Sequence, residues 1–367
     1  MCDNGRVTAL SLHSVEVQLG GIEVLRGLDL IVESGTSLAV LGPSGSGKTT
    51  LLQTIVGLRR PTSGHVVLGG TDITDIPTYA RGIALVSQSP ALQPNITLAA
   101  NVERPLAFAE DQPKEQRRLR AFRELRRFRI GRLGDRRPSQ TSVGEQHIAA
   151  TARGTVRQAA VLLLDEPVIA LDPLARRSMI RQIREQQRFE GTTMVVATND
   201  WEVAAGLADR LAVLAEGRIA QSGTAQDLYD LPATLEVAGL TGRWELNRLA
   251  GRVRTVQGER TEIVTAAGVM RTWRALEERP MIVGIRPEDL EVVDPDSGPA
   301  EDGGHLEATV QAAAALGRTT LLHLDADGIP LQAMGPAPPP AVGSTVRLAW
   351  RRAHLFDLSG YAFDHLD

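Results

Sequence analysis

Gly42-Pro43-Ser44-Gly45-Ser46-Gly47-Lys48-Thr49-Thr50 spells a G-x-x-x-x-G-K-T loop directly after the apolar run Ser37-Leu38-Ala39-Val40-Leu41. The run reads as a buried strand, and residues 50–58 suit a helix whose N-terminus faces the loop. That order makes an anion cradle. Glycines let successive backbone N–H groups turn inward, Lys48 reaches the β- and γ-phosphates, and the Thr49 hydroxyl is placed to ligate Mg²⁺. The sequence therefore predicts a nucleoside triphosphate held by residues 42–50. Kinases, GTPases, motors and transporters share this loop, so the use of the triphosphate must be read elsewhere.

Working outward, 367 residues with 43% hydrophobic content supply more than one core, and two or three domains are expected. A net charge of −4 and an aromatic content of 4% argue against nucleic acid, which wants a basic field and stacking platforms. Cys2 is the one cysteine, which excludes an internal disulfide and a thiolate metal cluster. The first residues lack a signal-peptide pattern, and no window approaches 18 uninterrupted apolar residues. A soluble, cytoplasmic protein is expected, and any membrane-spanning part would be another chain.

From about residue 8 to about 235, apolar runs alternate with helical stretches, as in a parallel sheet covered by helices. The strongest strand signals are Ile83-Ala84-Leu85-Val86-Ser87, Ala160-Val161-Leu162-Leu163-Leu164 and Thr193-Met194-Val195-Val196-Ala197. After Asp230 short β-like segments take over, such as Ala308-Thr309-Val310-Gln311 and Leu321-Leu322-His323-Leu324. Residues 297–304 (Ser-Gly-Pro-Ala-Glu-Asp-Gly-Gly) divide this region, which suggests two small β units. Between residues 117 and 129, Leu119, Phe122 and Leu125 fall at helical spacing amid arginines. This reads as a solvated helix face, or as a contact for an acidic partner segment or lipid head groups.

Four later segments narrow the chemistry. Val161-Leu162-Leu163-Leu164-Asp165-Glu166-Pro167 is a strand ending in two carboxylates. Asp165 can hold Mg²⁺ and Glu166 can orient or deprotonate a water attacking the γ-phosphate. Thr141-Ser142-Val143-Gly144-Glu145-Gln146 opens a helical run, Leu171-Asp172-Pro173 follows the carboxylates, and Gln88 sits at a strand's end within reach of Mg²⁺ or its water.

Taken in order, these segments resemble the ATP-binding subunit of an ATP-binding-cassette (ABC) transporter, with Walker A at 42–50, Q-loop at Gln88, signature at 141–146, Walker B at 161–166 and D-loop at 169–172. Residues 87–94 and Ile285-Arg286-Pro287-Glu288-Asp289-Leu290 resemble importer subunits of the maltose/multiple-sugar type, as does His354-Leu355-Phe356-Asp357 near the C-terminus. The resemblance implies an α/β P-loop cassette over 1–235, with a helical subdomain at about 89–155, followed by a β-rich, OB-like TOBE domain over 236–367. It further implies ATP and Mg²⁺, two membrane-spanning permease subunits, an extracytoplasmic solute-binding protein, a peripheral place on the cytoplasmic face of the membrane, and a sugar or related polar solute. Two cassettes, a homodimer or a heterodimer, would clamp ATP head to tail. Ser142, Gly144 and Glu145 of one cassette would then meet the γ-phosphate held by the other.

The chain departs from the family pattern at sensitive places. Asn199 stands where the family has a histidine against the γ-phosphate, and losing that contact costs on the order of 10²–10³ in rate. Asn199 is nonetheless counted with Glu166 and Gln88 among the expected catalytic residues. Val143 replaces a glycine and is expected to crowd backbone near phosphate, Ile169 replaces a serine, and Leu19 replaces the aromatic ring that stacks on adenine. Two alternatives follow: a cassette that binds ATP but hydrolyses it poorly beside a competent partner, and a non-transport cassette or small-molecule kinase. A single cassette and a β-rich tail argue against the second.

Overall fold

The computed structural model describes residues 8–109, 113–255, 261–272, 276–294 and 303–366. Cys2 and most of the divider expected at 297–304 lie outside them. The chain divides into two compact units, Met1–Ala225 and Gln226–Asp367.

The first unit opens with two long antiparallel strands, β1 (Thr8–Leu19) and β2 (Ile22–Glu33). The loop of interest joins β3 (Ser37–Leu41) to α1 (Lys48–Val56). Next come β4 (Ser63–Leu68), β5 (Thr71–Asp72) and β6 (Ile83–Val86). The chain then leaves the sheet for α2 (Leu98–Ala109), α3 (Lys114–Arg127) and α4 (Val143–Thr155). It returns through β7 (Val161–Asp165), α5 (Pro173–Glu190), β8 (Thr193–Thr198), α6 (Trp201–Leu207), β9 (Arg210–Ala215) and β10 (Arg218–Gly223).

The strand order β10-β9-β3-β8-β7-β6 is parallel except at β10, and a second sheet runs β2-β1-β4-β5. Helix α1 packs against both sheets, so Leu51, Leu52 and Ile55 share one dry core with Leu10, Leu25, Val40 and Leu163. β3, β7 and β8 are buried along their whole length, which explains their unbroken apolar runs. Sites of open parallel sheets lie beyond the carboxyl ends of the strands. Here those ends carry the phosphate loop (β3), Gln88 (β6), Asp165-Glu166 (β7) and Thr198-Asn199 (β8).

Two expectations are corrected. The stripe Leu119, Phe122, Leu125 turns inward only in part: Leu125 is buried, Phe122 is half-buried and Leu119 is 51% exposed, and α3 buries Ala121 and Glu124 as well. Glu124 earns its buried place by accepting from Thr155 Oγ1 and Gln186 Nε2, each at 2.6 Å. In the second unit the strands do not form two separate pieces. Eleven of them join in one hydrogen-bonded sheet, in which Gly303–Ala315 pairs with Thr320–Ala326 and so closes a ring with Ile329–Gly335, Glu291–Val293 and Thr345–Trp350. Five strands closed in this way match the OB-like expectation.

The break between units precedes position 235, since Leu235–Leu240 belongs to the second unit. Arg286, 2% exposed, explains this: its guanidinium donates to the Thr241 carbonyl, to Thr241 Oγ1 at 3.1 Å and to the Tyr229 carbonyl at 2.7 Å. It thereby ties both short helices before the sheet to the Pro287–Asp289 turn.

Candidate functional site

The phosphate loop is shaped by the lack of side chains. A Cβ on Gly42 would stand 2.4 Å from the Leu214 carbonyl oxygen, and Gly47, at φ +105°, ends the loop in a conformation other residues avoid. Gly47 provides no side-chain cap for α1 and the first turn has no acidic residue, so its opening N–H groups face the loop without a side-chain acceptor. Ser46 Oγ is buried with no hydrogen-bond partner among the described residues. Uncapped donors, an orphaned hydroxyl and an adjacent cation fit an anionic phosphate chain.

Lys48 is 8% exposed, and its Nζ donates to the carbonyls of Gly42 and Pro43, each at 2.8 Å. Burial lowers its pKa, while Glu166 and Asp165 act to raise it. Thr49 Oγ1 donates to Asp165 Oδ2 at 2.9 Å, which joins the loop to the end of β7. Burial pushes the Asp165 carboxyl up, against that hydrogen bond and the Lys48 charge. Among the described residues no cluster of three histidine, cysteine or carboxylate groups could hold a metal by itself. A divalent ion here would therefore take Thr49, Asp165, phosphate oxygens and water, the sparse ligation that Mg²⁺ accepts. Gln88 is exposed on the bend after β6, two residues beyond the last pair of the β6–β7 ladder, Val86 with Leu164.

Glu166 sits in the left-handed region at φ 47°, which costs about 1–3 kcal/mol for a residue with a Cβ and clusters at functional sites. The surroundings impose it. Its N–H donates to the Ala197 carbonyl at 2.9 Å, Thr198 Oγ1 donates to Oε2 at 3.0 Å, and the Asn199 N–H donates to Oε1 at 2.9 Å. Burial raises the Glu166 pKa against these bonds and Lys48, with Asp165 adding to the rise. Asn199 thus touches Glu166 through its backbone, while its side chain is exposed.

Ser142 is the N-cap of α4: its hydroxyl accepts from the Glu145 N–H at 3.2 Å, and the Glu145 carboxylate accepts from the Ser142 N–H at 2.8 Å. Glu145, expected at the nucleotide, is therefore tied up in a capping box. No described hydrogen bond joins Ser142, Gly144 or Glu145 to residues 42–50. Val143, expected to crowd backbone near phosphate, is the first residue of α4 and 61% exposed, and Ile169 is 45% exposed.

Two residues escaped the sequence reading. Thr198 orients Glu166 and also accepts from the Asp200 N–H at 3.1 Å; a hydroxyl ending the strand beside β7 was the available signal. Arg153 of α4 donates to the carbonyls of Pro90 at 2.9 Å and Ala91 at 2.7 Å, binding the segment after Gln88 to the helix that Ser142 caps. Nothing local in the sequence marks it.

A model of the ABC transporter family matches residues 25–169, and one of the TOBE domain matches residues 283–358. A spermidine/putrescine import ATP-binding protein of Marinobacter nauticus is 38% identical over 301 residues, 81% of this chain and 79% of its own length. The chain belongs to the ABC transporter family. Across the family, an sn-glycerol-3-phosphate import ATP-binding protein of Cereibacter sphaeroides is 36% identical over 90% of this chain and 91% of its own. An alpha-glucoside transport ATP-binding protein of Rhizobium meliloti is 33% identical over 97% and 99%. Among solved structures, the dimeric cassette MJ0796 in a post-hydrolysis state bound to ADP and Pi is 30% identical, with a TM-score of 0.55, and covers 59% of this chain and 98% of that one. This ABC-type transport ATPase is thus a P-loop cassette followed by a β-rich TOBE domain.

Proposed function

We propose that the chain is the ATP-hydrolysing subunit of an importer for a sugar or related polar solute, acting on the cytoplasmic face of the membrane with two permease subunits and a solute-binding protein. The observation that carries hydrolysis is the posture of Glu166, whose two carboxylate oxygens are each fixed by a donor from the end of β8 beside Lys48 and Asp165. A carboxylate with a raised pKa at that place can take a proton from water as the water attacks the γ-phosphorus and the bond to ADP breaks. Lys48 and the N–H groups of α1 would hold the phosphates, and Thr49 and Asp165 would hold Mg²⁺, which would supply positive charge against that developing on the phosphate oxygens. Homodimerisation would bring Ser142 and Gly144 of a second copy to the phosphates. The Ser142 hydroxyl accepts within its own helix and keeps its hydrogen for donation. The import assignment rests on relatives named for import whose solutes are chemically diverse, among them a polyamine and sn-glycerol 3-phosphate. Sugar follows from the maltose-type segments and the alpha-glucoside relative.

Phosphate release from Mg²⁺-ATP, with permease partners present, tests this reading: turnover that Glu166→Gln abolishes supports it. The exposed, unengaged Asn199 side chain favours one rival, a cassette that binds ATP but hydrolyses it poorly. Turnover no higher than that of Glu166→Gln, restored by Asn199→His, would establish the rival.

A further inference from the structure

Residues 114–137 carry eleven arginines and lysines against three carboxylates, in a chain whose net charge is −4. Part of this charge lies on one outer surface. Leu119, Phe122, Arg123 and Arg126 share the face of α3 opposite its buried Ala121, Glu124 and Leu125. The following turn lies back along the same face: a Cβ on Gly131 would touch the Arg126 side chain at 2.5 Å, and one on Gly134 would enter the Phe122 ring at 2.3 Å. That packing brings the turn that carries the exposed Arg132 and Arg136 onto the face of α3 that carries Arg123 and Arg126. Arg118 is paired with Asp135 at 3.4 Å and Arg127 with Glu190 at 2.6 Å, whereas Arg123, Arg126, Arg129, Arg132, Arg136 and Arg137 have no acidic partner among the described residues.

We propose that this face of α3 and the 129–137 turn docks on the anionic phospholipid headgroups of a membrane. Exposed arginines spread around Leu119, 51% exposed, and the half-buried Phe122 have the composition of an interfacial surface, with charge for headgroups and apolar groups for the layer beneath. An acidic peptide would be expected to want its charges gathered in a groove, and these are laid out along a helix and a turn. The inference goes beyond the transport reading and is testable without it, because lipid vesicles contain no permease and no solute.

The test is co-sedimentation of the full chain with vesicles of phosphatidylcholine alone and of phosphatidylcholine with one-third phosphatidylglycerol, in 0.1 M and 0.5 M salt. Binding to the anionic vesicles only, largely lost at high salt, is expected. Arg123, Arg126, Arg132 and Arg136→Gln together should weaken it by roughly five-hundredfold, at about fivefold per arginine, while the same four as Lys should retain it. ATP binding unchanged in both variants shows that they fold. Equal partition into both vesicle types, no binding, or undiminished binding of the Gln variant would each overturn the proposal. So would undiminished vesicle binding with lost permease association, which would assign the face to an acidic protein segment.

Discussion

Both units bury cations that donate to backbone carbonyls, and two of these, Arg286 of the second and Lys48 of the first, are put to opposite uses. Arg286 stacks over the Tyr229 ring at 3.7 Å and spends its donors on the Thr241 and Tyr229 carbonyls, joining helices to sheet. Lys48 donates only to its own loop, with Asp165 and Glu166 nearby and no described ion pair closing the set. A like contrast separates two residues at positive φ. Asp327, at φ 53°, is followed by Gly328 in a two-residue hairpin turn that calls for this conformation, whereas Glu166 holds φ 47° where no turn asks for it. A cation whose donors tie helices to a sheet holds a fold together; one that donates only to its own loop, beside two carboxylates, is poised for a ligand.

Substitutions can break that contrast. The largest effect is expected at Glu166→Gln, which should cut phosphate release by on the order of 10²–10⁴ and leave ATP binding in place, read by single-turnover assay and nucleotide titration. Arg286→Met should destabilise the second unit by about 3 kcal/mol, because buried carbonyls lose a charged donor. Urea unfolding would show it as an early transition, with ATP binding of the first unit preserved. Asn199→His should raise turnover about tenfold to a hundredfold if a side-chain contact to phosphate is what limits the rate. An unchanged rate would mean that the backbone N–H to Glu166 is all that position supplies.

The smallest effect sharpens the comparison through pH. Burial raises the Asp165 and Glu166 carboxyls in the folded chain, so their contribution to stability is complete below the unfolded carboxylate pKa of about 4 and is lost as pH rises through the folded values. Glu166→Gln should then melt higher than the unmodified chain at neutral pH without nucleotide, with the difference shrinking toward pH 4. Asp209 has the opposite sign: although burial pushes it up, Arg184 and Ser37 hold it down at about 2, so its stabilisation persists above the ordinary carboxylate range and fades as pH falls toward 2. Melting curves from pH 3 to 8 would separate the two.

Much of the candidate site was legible because each residue proposed to handle phosphate sits in a short segment with its own local reason. Glycines mark the loop before α1, and an apolar run ending in Asp165-Glu166 declares both a buried strand and the carboxylates at its end. Spacing could not tell which face of α3 turns inward, because the core accepted Glu124 once Thr155 and Gln186 were placed to satisfy it, and left Leu119 outside.

By itself, then, the sequence determined the anion cradle, the alternating α/β order and the β-rich tail, all of which follow from neighbours a few residues apart. Only the tertiary structure decided that Thr198 and the Asn199 backbone hold Glu166, that Arg153 ties the segment after Gln88 to α4, that Glu145 is spent on its own helix cap, and that five tail strands close into a ring. Except for the cap, these join groups far apart in the chain. Their partners are set by strand register and helix packing, which hydrophobic periodicity constrains only weakly.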